Sequence, residues 1–149
     1  MIQLVRTNSE DKMFQKLVNL LDAELAKRDG DDHEFYHQFN AISNIKHAIV
    51  IYKDNEAVGC GAIKHFDSES MEVKRMYTLP VSRGHGIASQ ILMELEAWSK
   101  ELGYTSCVLE TGKKQPEAIH LYKKNGYHIT RNYGQYEGIE NSVCFRKEL

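Results

Sequence analysis

The spacing of apolar residues changes several times along the chain, and each change marks an element. Residues 2–6 (IQLVR) read as a first strand. Ser9, followed by the acidic Glu10 and Asp11, has the pattern of a helix N-cap. Beyond it Phe14, Leu17, Val18, Leu21 and Leu25 recur at steps of three and four, which predicts an amphipathic helix ending near Arg28 to Gly30. The following stretch, DGDDHEFYHQFNAISNIK, is polar, acidic and aromatic, and only a short helix around 33–40 is expected in it.

Three extended runs follow: HAIVIYKD, AVGCGAIKHF and MEVKRMYTL. They are separated by the turn signals Asp54-Asn55 and Asp67-Ser68-Glu69-Ser70, so they predict an antiparallel meander. Pro80 stops the third run. In the next segment, RGHGIASQILMELEAWSKELG, Ile87, Ile91, Leu92, Leu95 and Trp98 share one helix face before Gly103 ends it. Tyr104 to Glu110 (YTSCVLE) has the composition of a buried strand. Pro116 opens a second helix, PEAIHLYKKN, that Gly126 closes, and YHITR and SVCFRK finish the chain as strands. The strand–helix–strand passage from 71–79 through 84–102 to 104–110 requires a right-handed crossover and therefore one parallel pair. The expected fold class is mixed α/β: a layered domain on a mostly antiparallel sheet.

Composition narrows the function. The chain has 149 residues, 42% hydrophobic and 27% charged, which is the make-up of a single globular domain over residues 1–149. Nineteen Lys and Arg against 21 Asp and Glu leave a formal charge of −2, without the basic excess of a nucleic-acid binder. No segment has the approximately 18 apolar residues of a membrane span, and the N-terminus lacks the pattern of a secretory signal, so a cytoplasmic protein without membrane partners is expected. Cys60, Cys107 and Cys144 are too dispersed for a disulfide framework or a zinc site. His33 and His37 stand at i, i+4 without a third ligand, so no metal is expected. Met76, Met93 and Leu92 are read as core.

The segment richest in chemistry is the loop between the third run and the helix, Arg83-Gly84-His85-Gly86-Ile87-Ala88. Glycines let backbone approach a ligand, the first N–H groups of a helix lack intrahelical acceptors, and Arg83 adds charged donors, a combination suited to a phosphate. The loop lacks the Gly-Lys-Ser/Thr ending of a nucleotide P-loop and the three-glycine dinucleotide spacing. Its pattern of Arg, two residues, Gly, one residue, Ala resembles the acetyl-CoA-binding motif of the GCN5-related N-acetyltransferases, with Arg83, Gly86 and Ala88 at the matching positions. Pro116 to Tyr127 resembles the family's second signature, a helix carrying Ala, Leu and Tyr that ends in Gly and an aromatic residue. The order of elements matches along the whole chain, with residues 28–45 and 131–141 the least diagnostic.

That resemblance implies a sheet with one splayed parallel strand pair, helices on both faces, and acetyl-CoA as co-substrate. Backbone from Arg83, Gly84, His85, Gly86, Ile87, Ala88 and Ser89 would hold the pyrophosphate. Met76, Tyr77 and Thr78, with a β-bulge commonly nearby, would pair with pantetheine, and a backbone N–H near Tyr77 would meet the oxyanion. The basic pairs Lys113-Lys114 and Lys123-Lys124 read as solvated faces with the 3′-phosphate of CoA as the anion they would serve.

Acetyl transfer to an amine also needs a proton acceptor and an acid for the thiolate. Tyr122 matches the family's usual acid position. Glu72 and Glu110 are rival bases, alongside a water chain. Glu72, four residues before Met76, is expected on the same face of its strand. Cys60 has no histidine or aspartate partner nearby in sequence and makes a poor covalent nucleophile. For the acceptor, Asp29, Asp31, Asp32, Glu34, Phe35 and Tyr36 early in the chain, with Tyr133, Tyr136 and Glu137 late in it, form a candidate cage for a small cationic amine. The C-terminal portion is similar to bacterial small-molecule N-acetyltransferases, which favours a small-molecule amine over a protein tail and allows a homodimer. A CoA-binding module without turnover is the rival reading.

Overall fold

The structure is a computed structural model in which residues 1–29 and 45–149 are described. The expected short helix at 33–40, and the candidates Asp31, Asp32, His33, Glu34, Phe35, Tyr36 and His37, lie outside the described residues, as does the side chain of Asp29.

The chain runs through strand β1 (Ile2–Thr7), helix α1 (Lys12–Asp29), strands β2 (His47–Lys53), β3 (Glu56–His65) and β4 (Ser70–Thr78), helix α2 (Ile87–Glu101), strand β5 (Ser106–Gly112), helix α3 (Pro116–Lys124), and strands β6 (His128–Thr130) and β7 (Ser142–Glu148). These strands form one sheet in the order β1-β2-β3-β4-β5-β7-β6. Only the β4–β5 pair is parallel, as the crossover through α2 required. The β2–β3 turn places Asp54 and Asn55 at φ 50° and 69°, both in the left-handed region that a two-residue hairpin demands.

Two cores clamp the sheet. On one face α1 lays Phe14, Leu17, Val18 and Leu21 onto Ala48, Val50, Cys60, Ala62 and Tyr77. On the other, Ile87, Ile91, Leu92 and Leu95 of α2, with Tyr122 of α3, pack on Ile49, Ile51, Ile63, Val73 and Leu109. Small residues on β3 let α2 descend: a Cβ on Gly61 would lie 2.6 Å from the Met76 Sδ and 2.7 Å from the Ile91 Cγ2. Met93 does not join this core. It is 61% exposed, because one step beyond Leu92 turns it about 100° round the helix to the solvent side.

Two further expectations are corrected. The N-cap of α1 is Asp11, whose Oδ1 accepts from the N–H groups of Met13 and Phe14 at 2.8 and 3.1 Å, while the Ser9 N–H donates to the Ile45 carbonyl. And Glu72 and Met76 do not share a face. The β3–β4 register slips between Cys60 and Ala62, with Arg75 at φ 58° opposite the slip, so β4 carries an extra residue. The bulge reverses side-chain parity: Met76 packs with the α2-side core, whereas Glu72 lies on the α1 side.

Candidate active site

The β4–β5 ladder runs from Ser70–Ser106 to Glu72–Val108 and ends there, although both strands continue. Past that point they part, beside two spaces that share lining residues: a cleft of about 410 Å³ toward the loop before α2 and a cavity of about 110 Å³ at β4 and β5. Tyr122 lines both.

The cleft has the loop as one wall. After a 3-10 turn at Pro80–Ser82 the chain passes through Gly84 at φ 83° and Gly86 at φ 77°, then enters α2 with Gly86 as a left-handed N-cap and no side chain capping the helix. A Cβ at either glycine would meet nothing within 4 Å, so the loop is open above its backbone as well as conformationally dependent on glycine. Ile87 anchors it, 3% exposed in the core. The opposite wall is α3, through Gln115, Ala118, Leu121 and Tyr122. Asn125 ties the walls together, its Nδ2 donating to the Ser89 Oγ at 3.1 Å and to the Leu121 carbonyl at 2.9 Å.

Of the cofactor-binding candidates, Met76, Tyr77, Thr78, Arg83, Gly84, Gly86, Ile87, Ala88 and Ser89 all line this cleft. His85 is exposed and its side chain is not part of the lining. Arg83 turns back from the loop: its Nε donates to the Thr78 carbonyl at 2.9 Å, its Nη2 to Glu24 of α1 at 2.9 and 3.2 Å, and its guanidinium carbon lies 5.6 Å from the Tyr77 ring centroid. The Thr78 Oγ1 is buried with no hydrogen-bond partner among the described residues, so the cleft wall holds a polar group suited to a ligand amide.

The smaller cavity gathers Glu72, Lys74, Arg75, Glu110, Gln115, Tyr122 and Tyr136 under Leu21 and Leu25 of α1. Here the two rival carboxylates differ. Glu72 accepts the Tyr133 hydroxyl at 2.7 Å and lies 3.7 Å from the Lys74 ammonium, and both Glu72 and Lys74 side chains are 9% exposed. Glu110 stands at the splayed end of β5, close enough to Tyr122 for its charge to act there. Burial, and then that charge, push the Tyr122 hydroxyl well above the ordinary tyrosine range, so it keeps its proton at neutral pH. Burial pushes the Lys74 ammonium down, while Glu72 and Glu110 pull it back up. Tyr136 is 2% exposed and lines the cavity. Tyr133 stands behind Glu72 and stacks edge-on with Tyr136 at 5.8 Å.

Glu24, Lys74, Gln115 and Asn125 carry no signal in the sequence alone. Glu24 is fifty-nine residues from the Arg83 it holds. Lys74 sits in an alternating strand where a lysine reads as a solvent-facing residue. Among the described residues no group of histidine, cysteine and carboxylate side chains has the arrangement of a metal site.

The Acetyltransferase (GNAT) family pattern matches residues 14–127. An IAA acetyltransferase from Azospirillum brasilense is 37% identical over 103 residues, covering 68% of this chain and 67% of that protein. The uncharacterized N-acetyltransferase YjgM of Escherichia coli is 33% identical over 104 residues, covering 67% of this chain and 62% of its own length. Among solved structures, a candidate acyl-CoA N-acyltransferase from Klebsiella pneumoniae superposes with a TM-score of 0.84 at 30% identity, over 100% of this chain and 98% of that one. A GNAT acetyltransferase from Elizabethkingia anophelis with acetyl-CoA bound shares the fold, with a TM-score of 0.72 at 19% identity over 99% and 98% of the two chains. The chain belongs to the GNAT acetyltransferase family. The matched stretch spans about two thirds of the length of these sequence relatives.

Proposed function

We propose that this protein is an acetyl-CoA-dependent N-acetyltransferase that passes the acetyl group directly to a primary amine of a small molecule in a ternary complex. The observation that carries this reading is the position of Tyr122 on the wall shared by the cleft and the cavity. When bound, acetyl-CoA supplies the acetyl group as a thioester. The backbone from Gly84 to Ser89 and the helix dipole of α2 favour its pyrophosphate at the open N-terminus of that helix. The β5-facing edge of β4, past the end of the ladder at Glu72, offers backbone groups to the pantetheine amides.

The amine enters from the cavity. Glu110, at the cavity end of β5 and near enough to Tyr122 for its charge to act there, takes its proton. Tyr122, kept protonated by burial, holds a proton at Oη for the departing sulfur. The transfer is direct because no cysteine is fit to intervene. Cys60 is fully buried, its Sγ donates to the Arg75 carbonyl at 3.4 Å, and burial pushes its thiol up to about 12. A cavity of about 110 Å³ suits a small acceptor.

The test is free-thiol release from acetyl-CoA across amino acids, polyamines, aminoglycosides, aromatic amines and lysine peptides, with Tyr122→Phe beside the wild type. Tyr122→Phe is expected to lower kcat by roughly a hundredfold or more with little change in the KM for acetyl-CoA. An unchanged rate on the best acceptor removes Tyr122 as the acid. No release with any amine favours a CoA-binding module without turnover.

A further inference from the structure

The bulge in β4 puts two consecutive cations on one face of the sheet. Met71 and Val73 belong to the α2-side core, so unbroken alternation would send Arg75 there too. Instead Arg75 takes a left-handed φ of 58°, and its Nη2 donates to Asp22 of α1 at 2.7 Å on the opposite face. Lys74, in step with Glu72, faces that way already, and both cations line the small cavity. They are enclosed, with side-chain exposures of 9% for Lys74 and 2% for Arg75. The buried Nε of Arg75 has no hydrogen-bond partner among the described residues.

This arrangement is costly. A left-handed residue other than glycine is strained, and a buried ammonium demands compensation by anions. Neither Lys74 nor Arg75 lines the cofactor cleft; both face the smaller cavity. The wall sets Lys74 and Arg75 beside Glu72 and Glu110, and cations and carboxylates together complement a ligand that bears both signs of charge.

We propose that the acceptor is an amine that also bears a carboxylate, of amino-acid type, with Lys74 and Arg75 recognising the carboxylate and the amino group turned toward Glu110. This rests on the acetyltransferase reading and assigns Lys74 as its specificity-determining residue.

The experiment compares, for several side chains, an amino acid with its carboxamide and its decarboxylated amine. The wild type is expected to favour the amino acid in kcat/KM by roughly tenfold or more. Lys74→Met is expected to remove that preference by raising the amino-acid KM, with the KM for acetyl-CoA held within about twofold, and Lys74→Arg to retain part of it. Turnover of the decarboxylated amine or carboxamide equal to that of the acid overturns the proposal, as does a preference that survives in Lys74→Met. Should Lys74→Met fail to fold, equilibrium binding of the same series to the wild-type protein with CoA decides: tighter binding of the acids supports the proposal and equal or weaker binding overturns it. Failure of the acetyltransferase reading looks different, since no amine of any class then releases thiol.

Discussion

Gly86 sets the turn from the loop into α2 at the wall of the cleft. Its φ of 77° ends the loop and starts α2, and nothing lies within 4 Å of where a Cβ would stand. Gly86→Ala should therefore destabilise by roughly 1–2 kcal/mol through backbone strain alone, with no steric clash. Because the loop would relax away from that φ, the KM for acetyl-CoA should rise more than kcat falls, which steady-state kinetics and thermal melts together can check. A variant with unchanged KM would separate the loop from the phosphates. The turn was legible in the sequence, since Gly84 and Gly86 stand just before an apolar helical period. The roles of Glu72 and Glu110 were not. Glu72 accepts a hydrogen bond from Tyr133, sixty-one residues away, whereas Glu110 lies near Tyr122, and neither neighbourhood is local in sequence.

Helix α1 ties three parts of the site together at the scale of elements. Asp22 bonds Arg75 at the β4 bulge, Glu24 bonds Arg83 beside the phosphate loop, and Arg28 bonds Glu117 in the first turn of α3. The Glu24–Arg83 pair is partly exposed and contributes roughly 0.2–1 kcal/mol or less to stability. Its larger effect is on binding, because it keeps a carboxylate in the cleft where phosphates would lie. Glu24→Gln should leave the melting temperature nearly unchanged and lower the KM for acetyl-CoA by roughly three- to tenfold, an effect that shrinks at high salt. A higher KM would mean that Glu24 chiefly orients Arg83. Elements themselves were well marked in the sequence, because periods of 3.6 and 2 are local. What periodicity could not reveal is the extra residue in β4: one bulge changed the face of Glu72 relative to Met76 and aligned Lys74 with Arg75.

The whole molecule adds a dependence on pH. Tyr122, Tyr127, Tyr133 and Tyr136 are all held above the ordinary tyrosine range, chiefly by burial. Raised native values mean that the folded state keeps protons the unfolded chain would release near pH 10, so this stability is present below that pH and lost as pH rises through it. Unfolding by circular dichroism should coincide with the late tyrosinate absorbance. Ionisation of these four tyrosines near pH 10 with the fold intact would show that they are open to solvent. The sequence by itself determined the elements, their order, the single parallel pair and the glycine turn before α2, because each depends on local period, on glycine and proline, or on the handedness of a crossover. Tertiary structure decided where β4 and β5 part, which carboxylate stands near Tyr122, and that two cations line the small cavity. Those features depend on register and on contacts between residues far apart in the chain, which no local pattern encodes.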